Sequence, residues 1–217
     1  MLEKKVVIIT GASSGIGKAL AYEYKNRQCK IVLAARNIEK LNAIIADIAT
    51  FGTEAIAVQA DVSIAEDCER IINKTIEHFG RIDILINNAG ISMRALFSEL
   101  DMQVFHRLME TNFWGTAYCS KFALPYLLKS KGSIVGVSSI AGYQGLPGRT
   151  AYSASKSAMQ GFLGALRVEN IHTGLHVLIA CPGFTASNIR KTALDKTGNE
   201  QGDSPLEEKK LMTAEKV

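Results

Sequence analysis

Short apolar runs alternate with longer amphipathic segments along this 217-residue chain. The apolar runs are rich in Val, Ile and Leu and span residues 5–10, 30–35, 54–60, 83–86, 132–138 and 175–181. Runs this short predict strands that are buried on both faces of a parallel sheet. Between them, apolar residues recur at helical spacing in segments 18–25, 38–51, 64–79, 101–129 and 150–172. The alternation predicts an α/β fold with one doubly wound parallel sheet, three layers and six visible strands.

The composition argues against several classes of function. The net charge is only +4 and no long basic run is present, so the chain is not expected to bind nucleic acid. The four cysteines are scattered, without the paired spacing of a metal site or a disulfide framework, and are expected to be buried free thiols. Residues 1–5 lead straight into the first strand without a signal peptide, and no apolar run is long enough for a membrane span. These features predict a cytoplasmic protein with no metal site.

A glycine-rich turn joins the first strand to the first helix. Its sequence is Gly11-Ala12-Ser13-Ser14-Gly15-Ile16-Gly17, and its first gap is one residue longer than in the common dinucleotide fingerprint. At such a turn, backbone N–H groups and the positive end of the helix dipole face an anion, and glycines allow it to approach closely. A plain tight turn also needs glycine. The position between a strand and a helix nevertheless favours cofactor binding.

Arg36 ends the second strand, where a dinucleotide fold meets the adenosine ribose. An acidic residue there binds the 2′-hydroxyl of NAD(H), whereas an arginine suits the 2′-phosphate of NADP(H). Ala35 precedes Arg36, and no carboxylate occupies the position. Arg36 can also be an ordinary exposed arginine, but the sequence favours NADP(H), with Ser13 and Ser14 as further donors to the same phosphate.

Tyr152 and Lys156 lie four residues apart in a predicted helix, so they share one face and lie one turn apart. A nearby ammonium favours the phenolate form of a tyrosine, which makes the pair a candidate general acid/base for an alcohol or a carbonyl. By itself the spacing is a weak signal, because it is common on solvated helix faces.

Polar residues also stand at strand ends and inside one helix. Asn87-Asn88-Ala89-Gly90 follows the fourth strand, and Ser138-Ser139 ends the fifth, at the edge where ligands of open α/β sheets bind. Asn112 lies within segment 101–129, where asparagine is a poor helix former. Each feature has a simpler explanation as a turn, an exposed side chain or a satisfied core asparagine. Pro125 is expected to interrupt the same segment late.

Taken together, these features closely resemble the short-chain dehydrogenase/reductase family. The resemblance rests on Thr10 to Gly17, Asn87 to Gly90, Asn112, Ser139, Tyr152 and Lys156, in this order and at these spacings. It implies a Rossmann-type NADP-binding domain over residues 1–190. It also implies an oxidoreductase that transfers a hydride between NADP(H) and the carbonyl or secondary alcohol of a small molecule, in a homodimer or homotetramer.

The resemblance implies four catalytic residues. Tyr152 is expected to be the acid/base at the substrate oxygen, while Lys156 lowers its pKa and hydrogen-bonds the nicotinamide ribose. Ser139, rather than Ser138, is expected to hold the substrate oxygen. Asn112 is expected to hold a water that links Lys156 to solvent.

The resemblance also implies the contacts to the cofactor. They are Gly11, Ser13, Ser14, Gly15, Ile16, Gly17, Arg36, Asp61, Val62, Asn88, Ala89, Gly90, Tyr152, Lys156, Pro182, Gly183, Thr185 and Ser187. Asp61 is expected to reach the adenine amino group. Ser187 stands where the family commonly has a threonine near the nicotinamide carboxamide, and Thr185 is the alternative.

The C-terminal residues 191–217 are polar and are expected to form part of a substrate lid or to be disordered, with a short helix at 206–212. Family members usually continue into a further helix and a seventh strand, which is not visible here. The candidate pocket residues are Ser92, Met93, Arg94, Tyr143, Gln144, Leu146, Phe184 and Ile189. They are more apolar than charged and resemble the hydroxysteroid dehydrogenase-like branch, so a hydrophobic substrate is expected. The alternative function is an NADPH-binding sensor or regulator without turnover.

Overall fold

The chain, described here from a computed structural model over residues 4–204, 206–207 and 210–217, is built on one parallel sheet. Its strands are β1 (Val6–Thr10), β2 (Lys30–Ala35), β3 (Ala55–Gln59), β4 (Ile84–Asn87), β5 (Ser133–Val137) and β6 (His176–Ala180). The sheet order is β3-β2-β1-β4-β5-β6. Every predicted apolar run forms a strand, within one residue at each end. The predicted doubly wound sheet of six strands is therefore confirmed.

Helices cover both faces of this sheet. They are α1 (Gly15–Asn26), α2 (Ile38–Ala49), α3 (Ala65–Phe79), α4 (Met102–Met109), α5 (Gly115–Ser130) and α6 (Thr150–Glu169). Val7 and Ile9 of β1 pack with residues of α1 and α2, whereas Ile8 between them packs with residues of α3, α5 and α6. Successive side chains of a strand point to opposite faces, so one buried strand contributes to two cores. The expected three layers are confirmed.

A π-helical turn at Glu110–Trp114 separates α4 from α5. The predicted interruption of this segment at Pro125 is wrong, because α5 runs through the proline to Ser130. Proline removes one helical hydrogen bond, but the buried residues Cys119, Ala123 and Leu127 hold the helix against the sheet on either side of it. The irregularity falls at Asn112 instead, within the π-helical turn.

The strand order reverses between β1 and β4, which are hydrogen-bonded neighbours with Ile9 opposite Ile86. The chain winds outward from this point in both directions, to β3 on one side and to β6 on the other. Ligands of open α/β sheets bind in the crevice beyond the strand ends at such a reversal. The glycine-rich turn follows β1 and the Asn88–Gly90 segment follows β4, so both lie at the crevice.

The described residues of segment 191–217 fold back on the loops around this crevice. Leu194 forms a parallel bridge with Met93, and Met212 forms one with Thr185. Arg94 Nη2 lies 2.7 Å from the Asp203 carboxylate. The expected helix at 206–212 lies partly outside the described residues. Within the described ranges, no helix has the length and apolar character needed to cross a bilayer.

Candidate active site

A cavity of about 680 Å³ opens at the carboxyl ends of the central strands. The predicted site residues that line it are Gly11, Ser13, Ser14, Gly15, Ile16, Arg36, Asp61, Val62, Asn88, Ala89, Gly90, Ser139, Tyr152, Lys156, Pro182, Gly183, Thr185 and Ser187. Two other predicted site residues, Gly17 and Asn112, do not line the cavity. One continuous cavity therefore brings together residues that are up to 176 positions apart along the chain (Gly11 to Ser187).

The glycines of the first turn are required by its backbone and by close packing. Gly11 and Gly15 have φ of 65° and 54°, the left-handed region that favours glycine. A Cβ on Gly11 would lie 2.7 Å from Ala89 Cα. A Cβ on Gly17 would lie 2.5 Å from both Asn88 Nδ2 and the Gly11 carbonyl oxygen. Gly17 thus allows α1 to pack against the turn, and the first N–H groups of α1 are directed at the cavity.

Hydrogen bonds fasten this turn to the loop after β4. Thr10 Oγ1 accepts from the backbone N–H groups of Asn88 and Ala89, both at 3.1 Å. In return, Asn88 Nδ2 donates to the carbonyl oxygens of Thr10 at 2.8 Å and of Gly11 at 3.2 Å. Asn88 is therefore a scaffold residue of the cavity wall, with its amide group already engaged by backbone.

One end of the cavity carries basic side chains at the N-terminus of α2. Arg36 and Lys40 both line the wall there and are exposed, and neither has a side-chain partner among the described residues. Lys40 was not among the predicted site residues, although its position in the first turn of a helix after β2 was a usable signal. Asp61 also lines the cavity, and its carboxylate accepts from Ser63 N–H at 3.0 Å and from Ser63 Oγ at 2.7 Å.

Asn112 is fully buried, and its amide group ties three segments together. Oδ1 accepts from Ile91 N–H at 2.8 Å, and Nδ2 donates to the Ile91 carbonyl oxygen at 3.0 Å and to Ser155 Oγ at 2.9 Å. The side chain thereby joins the π-helical turn to α6 and to the loop after β4. Its predicted water-holding role stays a prediction.

Lys156 is 3% exposed, and Nζ donates to the Val137 carbonyl oxygen at 2.8 Å. Burial lowers its pKa to about 8, although Cys181 opposes the shift. Gly90 faces this group, because a Cβ there would lie 3.3 Å from Nζ and 3.1 Å from Asn112 Oδ1. Because Gly90 lines the cavity and has no side chain, the Lys156 ammonium can lie next to the cavity wall.

Tyr152 and Ser139 form the polar pair at the substrate end. Burial raises the pKa of Tyr152, while the neighbouring Ser139 hydroxyl and the positive charges of Arg149 and Arg190 lower it. Ser139 Oγ accepts from Ala141 N–H at 3.2 Å, which fixes its orientation. The Ser138 hydroxyl is engaged within the protein, since its Oγ accepts from Gln160 Nε2 at 3.0 Å and donates to the Lys156 carbonyl oxygen at 3.4 Å. The arrangement can present two hydroxyl groups to one oxygen atom of a ligand.

The burial of Lys156 predicts that stability depends on pH. Its pKa is about 8 in the folded chain against 10.5 for an ordinary lysine, so between these values the unfolded chain binds more protons. The free energy of unfolding should therefore rise by about 2 kcal/mol between about pH 7 and about pH 9.5 from this residue alone. Denaturant titration of the wild type and of Lys156→Met measures the effect. The rise should be smaller by this amount in the variant, and equal rises in both proteins would contradict the assignment.

The other predicted pocket residues divide between the wall and the rest of the fold. Ser92, Leu146, Phe184 and Ile189 line the cavity. Met93 is buried in the core instead. Arg94 lines a separate cavity, and Tyr143 is 75% exposed. Gln144 is also exposed and does not line the cavity.

Three arginines that were not among the predicted site residues also line the cavity, namely Arg107, Arg149 and Arg190. Arg149 stands directly before α6, within the motif region, so its position was visible in the sequence but its direction was not. The pocket was expected to be more apolar than charged, and this expectation did not include the three arginines.

The cysteines do not form a site. Cys29, Cys68 and Cys119 are buried, Cys181 is partly exposed, and none of these four described residues forms a disulfide. Across the described ranges, no group of three or more His, Cys, Asp and Glu side chains has the arrangement of a metal site.

Sequence comparison identifies the family. A family profile described as short chain dehydrogenase matches residues 5–198. The chain belongs to the short-chain dehydrogenase family. The glycine-rich turn, the loop after β4, the serine at the end of β5 and the Tyr152–Lys156 pair all fall within the matched range, and the predicted family is confirmed.

Curated relatives of this short-chain dehydrogenase include two plant proteins. It is 43% identical over 187 residues to 11-beta-hydroxysteroid dehydrogenase-like 2 of Arabidopsis thaliana. It is 45% identical over 189 residues to 11-beta-hydroxysteroid dehydrogenase A of Arachis hypogaea. These matches cover 85% and 86% of this chain but only 60% and 54% of the relatives. The chain thus spans little more than half the length of these relatives.

Solved structures share the fold of this short-chain dehydrogenase. An alcohol dehydrogenase from the archaeon Thermococcus sibiricus, complexed with 5-hydroxy-NADP, superposes with a TM-score of 0.87 at 27% identity, over 97% of this chain and 86% of that one. A short chain dehydrogenase/reductase from Burkholderia phymatum, in complex with NAD, gives 0.84 at 28% identity, over 87% and 69%. Relatives of this fold therefore bind either form of the dinucleotide.

Proposed function

We propose that this short-chain dehydrogenase transfers a hydride between NADP(H) and the carbonyl or secondary alcohol of a small molecule, with Tyr152 as the acid/base. The observation that carries the proposal is that Ser139, Tyr152 and Lys156 line the same cavity as the glycine-rich turn. Family membership and the dehydrogenase names of the relatives support an oxidoreductase.

The residues present fit a dinucleotide. The turn between β1 and α1 has room for a pyrophosphate because Gly11 and Gly15 carry no side chain in left-handed backbone, and it presents helix N–H groups. Gly11, Ser13, Ser14, Gly15 and Ile16 would hold this part. The adenosine side and the centre of the dinucleotide would be held by Asp61, Val62 and Asn88 to Gly90. Its nicotinamide side would be held by Pro182, Gly183, Thr185 and Ser187. When bound, the nicotinamide supplies or accepts the hydride.

The choice of NADP(H) over NAD(H) is supported by charge. Arg36 and Lys40 line the adenosine end of the cavity without side-chain partners in the described part of the chain. A 2′-phosphate would provide the anion that two such cations favour, whereas a 2′-hydroxyl would not. Glu39 and Asp61 are the acidic residues at this end, and Asp61 is engaged by Ser63.

The chain's own residues would handle one proton. Ser139, held by Ala141 N–H, and Tyr152 would both hydrogen-bond the reacting oxygen, where charge develops. The Tyr152 hydroxyl would donate its proton to that oxygen during reduction and accept it during oxidation. Lys156 stands one turn along α6, with Nζ 5.9 Å from the centre of the tyrosine ring. We propose that it binds the nicotinamide ribose and lowers the pKa of Tyr152, and that Asn112 holds the relay water.

The C-terminal segment 191–217 is proposed as part of a substrate lid, next to a domain over residues 1–190. Thr192, Leu194, Glu200 and Leu206 contribute to the cavity wall, which supports this role. A homodimer or homotetramer and a cytoplasmic location stay predictions.

Replacing Arg36 by aspartate is expected to swing the cofactor preference. Affinity for NADPH should fall by about tenfold to a hundredfold, because a charge-assisted contact is lost and a like charge is introduced, while affinity for NADH is retained or improves. Calorimetry with both cofactors measures the change. Lys129→Asp is the matched control, since it makes the same change of charge at an exposed position away from the cavity. An unchanged preference would mean that Arg36 does not contact the phosphate.

A sensor without turnover is the alternative, and a substrate panel separates it from the enzyme. The oxidoreductase should oxidise NADPH with at least one carbonyl compound of a broad panel, in a saturable manner. Tight NADPH binding with no oxidation on the whole panel would favour the sensor.

A further inference from the structure

A guanidinium without an acidic partner lines the substrate end of the cavity. Arg149 lies directly before α6 and is partly buried. Its Nη1 donates to Ser92 Oγ at 2.7 Å and to the Met93 carbonyl oxygen at 2.8 Å. These two bonds orient the side chain but do not neutralise it. Among the described residues, no carboxylate forms an ion pair with Arg149.

The opposite edge of this guanidinium remains available for a ligand. Arg149 Nε and Nη2 have no hydrogen-bond partner in the described part of the chain. Neither belongs to the buried side-chain atoms that lack a partner there, which are Asn87 Oδ1 and Arg94 Nη1. Both atoms are therefore accessible, on a side chain that lines the cavity. The Nε–Nη2 edge offers two parallel N–H donors, which match the two oxygens of a carboxylate.

Other charged side chains line the same cavity. They are Arg107 and Arg190, and the acidic residues Glu39, Asp61 and Glu200. Burial is the main effect that lowers the pKa of Arg149, and the charges of Arg94 and Arg190 lower it further. A partly buried cation is unfavourable unless an anion compensates it. A ligand anion at this edge would supply the compensation.

The charge of Arg149 also reaches the proposed catalytic group. Together with Arg190 it lowers the pKa of the Tyr152 phenol against the effect of burial. Arg149 stands three residues before Tyr152, and both side chains line the same cavity, so one ligand there can contact both. A neutral, wholly apolar substrate would leave the Nε–Nη2 edge without an anionic partner in the cavity.

We infer that the substrate is an oxo acid or a hydroxy acid, and that Arg149 binds its carboxylate through Nε and Nη2 while Ser139 and Tyr152 hold the reacting oxygen. The inference rests on the proposed oxidoreductase function and names its substrate class. Reduction adds a hydride to the carbonyl carbon and a proton to its oxygen, and the carboxylate keeps its charge. Arg149 is thus a binding residue that takes no part in bond changes.

Equilibrium binding of two matched probes tests the inference without turnover. Benzoate and benzamide have nearly the same shape, but only benzoate is charged. Calorimetry on the full chain, with and without NADP⁺, gives both dissociation constants for the wild type and for Arg149→Gln. Benzoate should bind at least about tenfold tighter than benzamide, and Arg149→Gln should bring the ratio close to one.

Two further variants separate charge recognition from a structural role. Ser92→Ala removes one hydrogen bond to Arg149 but keeps the guanidinium, so it should keep the benzoate preference. Arg149→Lys keeps the charge but loses the paired donors, so it should retain part of the preference. This second variant tests the inference even if Arg149→Gln does not fold. Equal affinities of the two probes in the wild type, or binding of neither, would overturn the inference, as would an unchanged ratio in Arg149→Gln.

Turnover distinguishes this inference from the proposed function. The probes are 4-carboxybenzaldehyde and methyl 4-formylbenzoate, each with NADPH. Preferred reduction of the acid supports both the carboxylate inference and the oxidoreductase function. Preferred reduction of the ester overturns the carboxylate inference and leaves the oxidoreductase function intact. Selective benzoate binding without oxidation of NADPH on any carbonyl compound keeps the anion site and contradicts the proposed function.

Discussion

Turnover of a carbonyl substrate is expected to fall by about a thousandfold when Tyr152 is replaced by phenylalanine. The substitution keeps the ring and removes only the hydroxyl group that would give its proton to the substrate oxygen. General acid/base catalysis contributes rate factors of about this size. The rate of NADPH oxidation at saturating cofactor measures the effect.

Binding of NADPH provides the internal check on this variant. The affinity for NADPH should change by less than about threefold, because the glycine-rich turn and its hydrogen bonds are untouched. Tyr126→Phe is the matched control. It removes a phenol from α5, away from the cavity, and should retain turnover. A Tyr152→Phe protein within about tenfold of the wild-type rate would exclude the tyrosine as the acid/base.

Gly17→Ala is expected to weaken both the fold and cofactor binding. The added methyl group would lie 2.5 Å from Asn88 Nδ2 and from the Gly11 carbonyl oxygen, and neither can move without disturbing the turn. Overpacking of this kind lowers the free energy of unfolding by about 1–3 kcal/mol. Because the same shift displaces the helix N–H groups from the cavity, affinity for NADPH should fall by about tenfold or more.

Gly161→Ala in α6 is the matched control for this substitution. A Cβ at Gly161 meets no atom within 4 Å, and alanine in a helix interior is more stable than glycine by about 0.5–1 kcal/mol. The control should therefore be as stable as the wild type or slightly more stable. Denaturant unfolding with and without NADPH measures both effects. Equal stabilities of Gly17→Ala and Gly161→Ala would show that the packing at Gly17 tolerates a side chain.

The sheet and most of the cavity were predictable because they depend on local patterns. A strand buried on both faces needs an uninterrupted apolar run, and this signal located all six strands. Strand ends in a parallel sheet then converge on one edge, so residues after β1, β4 and β5 were expected to meet. The glycine-rich turn and the Tyr152–Lys156 pair follow the same logic, because their spacing within one element decides which face they share.

Other features depend on contacts between distant segments. The π-helical turn at Glu110–Trp114 has no spacing signal of its own, since Asn112 is held by Ile91 and by Ser155 from another helix. The directions of Arg149 and Arg190 depend on loops that meet only in the folded chain. Charge at the substrate end therefore escaped prediction.

The π-helical turn also sets the rotational phase of two helices independently. Each residue advances an α-helix by about 100° around its axis, so one extra residue in a turn rotates everything beyond it relative to a continuous helix. Before the turn, Val104 and Leu108 of α4 pack with Ala151 and Leu194 beside the substrate end. After it, Cys119, Ala123 and Leu127 of α5 pack against the sheet. If one residue were removed from the turn, either α4 or α5 could keep its present packing, but not both.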